Sequence, residues 1–289
     1  MTGKASALAH GAATIVNAIA LGKGAAFGVD LWTKTEVKLT NEPNVIEVEI
    51  TSDPKENTLL VEKTVARVLQ RFNLEKAFGA KVKTSSNIPV ARGLKSSSVV
   101  ANATALATTA ALGKKLDDLE VIRIGVDAAF DAKVTVTGAF DDACASYFGG
   151  TVITDNLRRE ILKQIKVPRN LEVLFHVPAQ KTYTINSDVA RLQTVKPLVE
   201  IAFEKAMDGR VWDALTLNGL VYSVASNLNA TIAIDALAAG AVAAGLCGKG
   251  PAVTAVTPKE NVDKVKTALK RYEGEILVAH LNSEKAKVL

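Results

Sequence analysis

The stretch Pro89-Val90-Ala91-Arg92-Gly93-Leu94-Lys95-Ser96-Ser97-Ser98 sets a glycine turn before three hydroxyls and a long run of small apolar residues. Residues 96–112 read as a buried helix whose first turn carries the serines. Such a turn leaves backbone N–H groups unpaired and bears a partial positive charge. Gly93 lets the backbone approach an anion closely, and serine hydroxyls can bond phosphate oxygens or ligate Mg²⁺. The same residues equally describe an ordinary serine cap behind a glycine turn. On local chemistry alone the two readings stand level.

Outward from that helix, residues 36–39 and 45–51 flank the turn Asn41-Glu42-Pro43-Asn44 and predict a β-hairpin. Apolar residues at Leu60, Val61, Val65, Val68 and Leu69 predict a helix over 56–72, followed by a strand at 80–84. Asp117 is placed to cap a helix running to Asp131, and a strand is expected at 149–154. The second half reads as a strand at 171–177, helices at 195–207, 211–228 and 231–244, then a glycine loop at 245–250. A strand at 251–256, a helix at 261–272 and a strand at 275–281 complete it. Strands and helices mix without a regular βαβ alternation, so the class is α+β. A soft boundary is expected around 155–168, where the charged run 158–166 precedes Pro168.

With 48% hydrophobic and 22% charged residues, the 289-residue chain is neither disordered nor of low complexity. Its net charge of +5 is spread without a basic run or interleaved aromatics, which argues against a nucleic-acid binder and for attraction of small anions. Two cysteines, Cys144 and Cys247, lack C-x-x-C spacing and point to a reducing cytoplasm. The three histidines are dispersed, so no structural zinc site is expected. The small-residue run at 5–21 resembles a secretory leader, but His10, Gly11 and Asn17 interrupt it. The alanine-rich runs at 99–112 and 236–246 are shorter than the roughly 20 residues that span a bilayer. A soluble protein is expected.

No Walker sequence, H-R-D loop or D-F-G occurs, and Gly22-Lys23-Gly24-Ala25-Ala26-Phe27 lacks the last glycine of the dinucleotide fingerprint. The pattern Pro89-x-x-x-Gly93-Leu94-x-Ser96-Ser97 instead resembles the phosphate-loop motif of the GHMP kinases, the superfamily of galactokinases, homoserine kinases and mevalonate kinases. The triplet Ser96-Ser97-Ser98 is similar to that of its archaeal shikimate kinase branch. So are the opening stretch 9–31 and the central stretch Thr137-Gly138-Ala139-Phe140-Asp141-Asp142-Ala143. Gly245-Leu246-Cys247-Gly248-Lys249-Gly250-Pro251 resembles the superfamily's third motif, and all occur in the family's order. Lys249 stands where many relatives carry a smaller polar residue, so contacts near the phosphates are expected to differ. Cys144 and Cys247 read as packing residues.

The resemblance implies a two-part α+β fold, with halves at 1–160 and 161–289 and the active-site cleft between them. ATP is expected at Pro89, Val90, Ala91, Arg92, Gly93, Leu94, Lys95, Ser96, Ser97, Ser98 and Val99. Shikimate is expected to receive the γ-phosphoryl group on its 3-hydroxyl, a step that rests on positioning and charge neutralisation. Asp141 is the catalytic candidate and Asp142 its alternative; either could instead cap the helix near Ala143. Mg²⁺ is expected on Ser97 and Asp131, with Asp127 as alternative, though both carboxylates also suit a plain surface. Asn17, Lys23 and Asp30 are the candidates for gripping substrate, ahead of Lys4, Arg92, Lys95 and Tyr183. A GHMP kinase for homoserine, mevalonate or another small alcohol is the alternative activity, and a non-catalytic nucleic-acid module a distant third.

Overall fold

The computed structural model describes residues 3–90, 92–168, 170–179 and 189–289. Two long strands organise the first half: β1 (Lys4–Val16) and β2 (Lys23–Thr40) pair antiparallel over most of their length. Residues 9–16 of β1 and 24–29 of β2 are rich in alanine and glycine and buried on both faces. The alternation that marks a half-exposed strand is missing there and appears only in the second part of β2, residues 29–40.

The expected 36–51 hairpin does not form. Strand β3 (Ile46–Ile50) runs parallel to β4 (Gly79–Ser86), and β4 lies between it and β2. Helix α1 (Leu59–Arg71) makes the crossover that a parallel pair requires, so the turn at 41–44 redirects the chain without pairing its arms. The first part of β2, residues 23–27, pairs with β5 (Thr151–Asp155), which in turn pairs with β6 (Glu160–Ile165). The seventh strand, β11 (Lys287–Val288), lies on the open side of β1.

Against β1 and β2 packs α2 (Ser96–Ala111), an almost wholly small-residue helix that lets the sheet come close. Helix α3 (Asp118–Asp131) and α4 (Phe140–Phe148) stack beside it. The second sheet holds β7 (Leu171–Val177), β8 (Ala243–Leu246), β9 (Val253–Pro258) and β10 (Glu275–His280), ordered β10-β7-β9-β8 and antiparallel throughout. Helices α5 (Val189–Gln193), α6 (Lys196–Met207), α7 (Val211–Ala225), α8 (Thr231–Ala238) and α9 (Val262–Leu269) complete the half. Helix α8 stops short of the expected residue 244 because 243–246 is needed as a strand. The two sheets part between Ile165 and Leu171, so residue 160 falls at the start of β6.

Helix α7 ties the halves together. A Cβ on Gly219 would collide with the backbone of Gly245, so α7 lies directly on β8. The Asn218 side chain of α7 accepts a hydrogen bond from Asn17 N at 3.1 Å, and the Tyr222 hydroxyl donates to Asn17 O at 3.3 Å. The β1–β2 turn is thus held by the other half of the chain. No helix among the described residues is long and apolar enough to cross a membrane.

Candidate active site

Two glycine loops meet at the start of α2. Gly93 has φ +86°, and a Cβ there would lie 2.8 Å from Cys247 O and 2.9 Å from Gly250 O, so only glycine fits. Ala252 N donates to Arg92 O at 3.2 Å and locks the loop 245–252 against 89–95. Lys95 follows in the left-handed region at φ +63°, turning its side chain back before the helix begins at Ser96. No side chain caps α2, so its leading N–H groups remain available beside Ser96, Ser97 and Ser98.

The two aspartates of α4 face the same place and take different partners. Asp142 Oδ2 lies 3.0 Å from Lys95 Nζ in a pair almost sealed from solvent. Asp141 Oδ1 accepts from Asn156 Nδ2 at 2.8 Å, and Asn156 Oδ1 in turn accepts from the Thr154 hydroxyl at 2.6 Å. The other Asp141 oxygen rests against Gly24, where a Cβ would strike it. Burial, with the Asp142 charge next, pushes the Asp141 carboxyl up to about 7, while the Asn156 hydrogen bond and Lys95 restrain the rise. Burial also acts on Lys95 more than any other influence and depresses it. The charge of Asp142, with the Cys247 thiol and Asp141, outweighs that effect and leaves the ammonium above its ordinary value.

These groups open into a cleft of about 390 Å³. Its walls divide by chemistry. Ile50, Leu60, Val61, Val90, Val100, Val134 and Val136 offer aliphatic surface, while Thr14, Asn17, Lys95, Ser96–98, Asp141, Asp142 and Lys249 supply polar and charged groups. Most of the lining comes from the first half, with Lys249 and Gly250 contributed by the second.

Several expected residues do join there: Val90, Gly93, Lys95, the three serines, Asp141, Asp142 and Asn17. Asn17 also shapes its own turn, its Oδ1 accepting from Ile19 N at 2.9 Å. Other residues do not. Leu94 and Val99 are buried core, where their apolar chains anchor the loop, and Pro89 is not in the lining. Arg92 turns away to donate to Pro178 O. Asp131 is corrected as a metal ligand, because both its oxygens accept from Arg67, at 2.6 and 2.8 Å, on the outer side of α3. The alternative, Asp127, lies 2.7 Å from Arg159 and 3.6 Å from Arg67. Lys23 points over the Phe203 ring, 5.8 Å from its centre, and Asp30 accepts from His280 N at 2.8 Å, so neither reaches the cleft. Lys4 pairs with Glu36 at 3.0 Å. Ala91 and Tyr183 lie outside the described residues.

Sequence reasoning missed Thr14, Asn156 and the wall at 132–139. Asn156 stands beside the cleft because Lys23 pairs with Asp155 across β2 and β5, a register no local pattern announces. Cys144 and Cys247 are free and buried, in keeping with packing roles. Among the described residues, no three His, Cys, Asp or Glu gather as a metal-binding group.

The GHMP kinases N terminal domain family matches residues 59–150, from α1 through the serine loop to the two aspartates. The chain is 39% identical to the shikimate kinase of Methanothermobacter thermautotrophicus over 294 residues, covering all of this chain and 99% of the relative. It is 42% identical to that of Methanosarcina mazei over 288 residues, with 99% and 97% covered. Among solved structures, a homoserine kinase from Cytophaga hutchinsonii superposes with a TM-score of 0.75 at 17% identity, covering all of this chain and 98% of the other. At that identity the likeness speaks for the fold alone.

Proposed function

The chain belongs to the shikimate kinases of the GHMP kinase superfamily, and from that premise we propose that it transfers the γ-phosphoryl group of ATP to the 3-hydroxyl of shikimate. One observation carries the reading at the level of residues. A buried carboxyl poised near neutrality, Asp141, shares a cleft with an uncapped, serine-lined helix start.

The aliphatic walls suit the flat, largely apolar base of the nucleotide, and the leading N–H groups of α2 with Ser96–98 suit its phosphates. Lys95, held by Asp142, sets a fixed positive charge beside them. Shikimate places its hydroxyl against Asp141, and Asn17 is the candidate for a neighbouring hydroxyl. Asp141 takes the hydroxyl proton as the oxygen bonds to the γ-phosphorus and the bond to the ADP oxygen breaks. A base near pH 7 is matched to that task at physiological pH. The hydroxyl donor set at α2 fits Mg²⁺, which keeps waters and phosphate oxygens as ligands and needs few from protein; Ser97 would hold it. When bound, the ion neutralises charge on the β- and γ-phosphates. A cytoplasmic setting, where ATP is supplied, belongs to the same reading.

The test is ADP release with ATP and Mg²⁺, run in parallel on shikimate, homoserine, mevalonate and galactose. Turnover is expected with shikimate alone. Asp141→Asn should lose at least ~100-fold in turnover while still binding nucleotide. Turnover on another alcohol and not on shikimate would overturn the assignment.

A further inference from the structure

Lys249 sits on the loop between β8 and β9 and lines the cleft with the serines and aspartates. Its Nζ is buried and has no hydrogen-bond partner among the described residues. Two more buried polar atoms from the same lining are also without partners, Thr14 Oγ1 and Asp142 Oδ1. The loop is shaped to bring this about. A Cβ on Gly248 would collide with Lys95 Nζ, so the glycine admits Lys95 to its pair with Asp142 and leaves the next residue to enter the cleft.

A buried ammonium without a counter-charge is costly to hold. Burial, with the nearby charge of Lys95, pulls Lys249 down to about 7 against the opposing pull of Asp142. Asp142 is already engaged by Lys95, so among the described residues the second cation has no anion of its own. The loop that carries Lys249 lies on the serine loop: Gly248 packs on Lys95 Nζ, a Cβ on Gly93 would meet Gly250 O, and Ala252 N donates to Arg92 O. The anion that Lys249 lacks therefore belongs beside the start of α2, where phosphates are expected.

We propose that Lys249 is a catalytic residue that binds the γ-phosphate of ATP and neutralises its equatorial oxygens during transfer. The inference rests on the reading of the protein as an ATP-dependent kinase. In that step the acceptor oxygen bonds to the γ-phosphorus, the bond to the bridging oxygen breaks, and its electron pair leaves with ADP. The acceptor's proton goes to Asp141, and Lys249 keeps all its protons, supplying charge alone.

Three proteins test this: the parent, Lys249→Met and Lys249→Arg. In Lys249→Met, kcat with ATP, Mg²⁺ and shikimate should fall by ~100-fold or more while KM for shikimate stays within ~3-fold. Equilibrium affinity for the β,γ-imido analogue of ATP should drop ~10-fold, with ADP affinity within ~2-fold, because ADP lacks the contacted group. Lys249→Arg should recover most of both. With an uncompensated buried charge removed, Lys249→Met should melt no lower than the parent.

Unchanged kcat and analogue affinity in Lys249→Met would overturn the proposal. So would a KM for shikimate raised ~10-fold at constant kcat, which would place the lysine on the acceptor's carboxylate. Equal loss of ADP and analogue binding with a lowered melting temperature would make the role structural and overturn it too. If the parent proves inert on shikimate, the substrate assignment fails separately, and the ratio of analogue to ADP affinity still decides for or against Lys249.

Discussion

On the proposed reading of Asp141 as the base, Asn156 tunes the chemistry without touching the reacting atoms. Its amide holds Asp141 Oδ1, and that bond favours the ionised carboxylate. Removing it leaves burial and Asp142 less opposed, so the Asp141 carboxyl should rise further. In Asn156→Ala the acid limb of kcat/KM, expected near pH 7 in the parent, should move to higher pH, with kcat at pH 7 down ~10-fold. A pH profile from 5 to 9 checks this; an unmoved limb with lower kcat would mean that Asn156 only packs. Gly24 serves the same carboxyl from the other side by having no side chain to displace it.

At the scale of elements, α3 is the instructive case. Its outer face ties Asp131 and Asp127 to Arg67 and Arg159, while Ala129 and Ala132 line the cleft. Asp131→Asn should therefore keep kcat and its Mg²⁺ dependence within ~2-fold and cost no more than ~1 kcal/mol, the worth of an exposed pair. Steady-state assays across a Mg²⁺ titration and a thermal melt would show it. Legibility followed burial in the same way. Helices α1 and α3 and strand β7 were readable because each shows a periodic or bounded apolar pattern. Strand β1 and the first part of β2 were not, since alanine and glycine buried on both faces erase the period of two, and of the alternating second part only 36–39 was read as a strand. The loop 89–98 could be placed at the cleft from sequence because its glycine turn and its serines are neighbours in the chain. Asp131 was misplaced because spacing along a helix cannot say which way a carboxylate turns. Thr14 reaches the cleft, and Asn156 reaches Asp141, only through sheet register.

For the whole molecule, the buried aspartate is a cost carried by the fold. Asp141 has its folded value raised to about 7 from 3.8, so the unfolded chain ionises first as pH rises. The native state then binds the extra proton, and stability falls from about pH 4 until the folded group ionises near 7. Asp141→Asn, which cannot ionise, should consequently melt several degrees above the parent at pH 8. The gap should narrow progressively toward pH 4, and calorimetry at both pH values checks the sign. With Asp141 as the proposed base, activity and stability are expected to pull in opposite directions at this one position.

Strand β11 covers a short part of the outer edge of β1, with Ala7 opposite Val288, Leu8 opposite Lys287, and Leu289 N donating to Ser6 O at 2.8 Å. During synthesis on the ribosome, β1 emerges some 280 positions before the residues that pair with its outer edge. At ~5–20 residues per second, that edge stays open for tens of seconds while the rest of the sheet has already formed. A nascent chain with a long, small-residue strand unpaired on one side is a template for other strands. The edge at Ala7 and Leu8 therefore waits longer for its partner in the growing chain than any other paired position of the sheet.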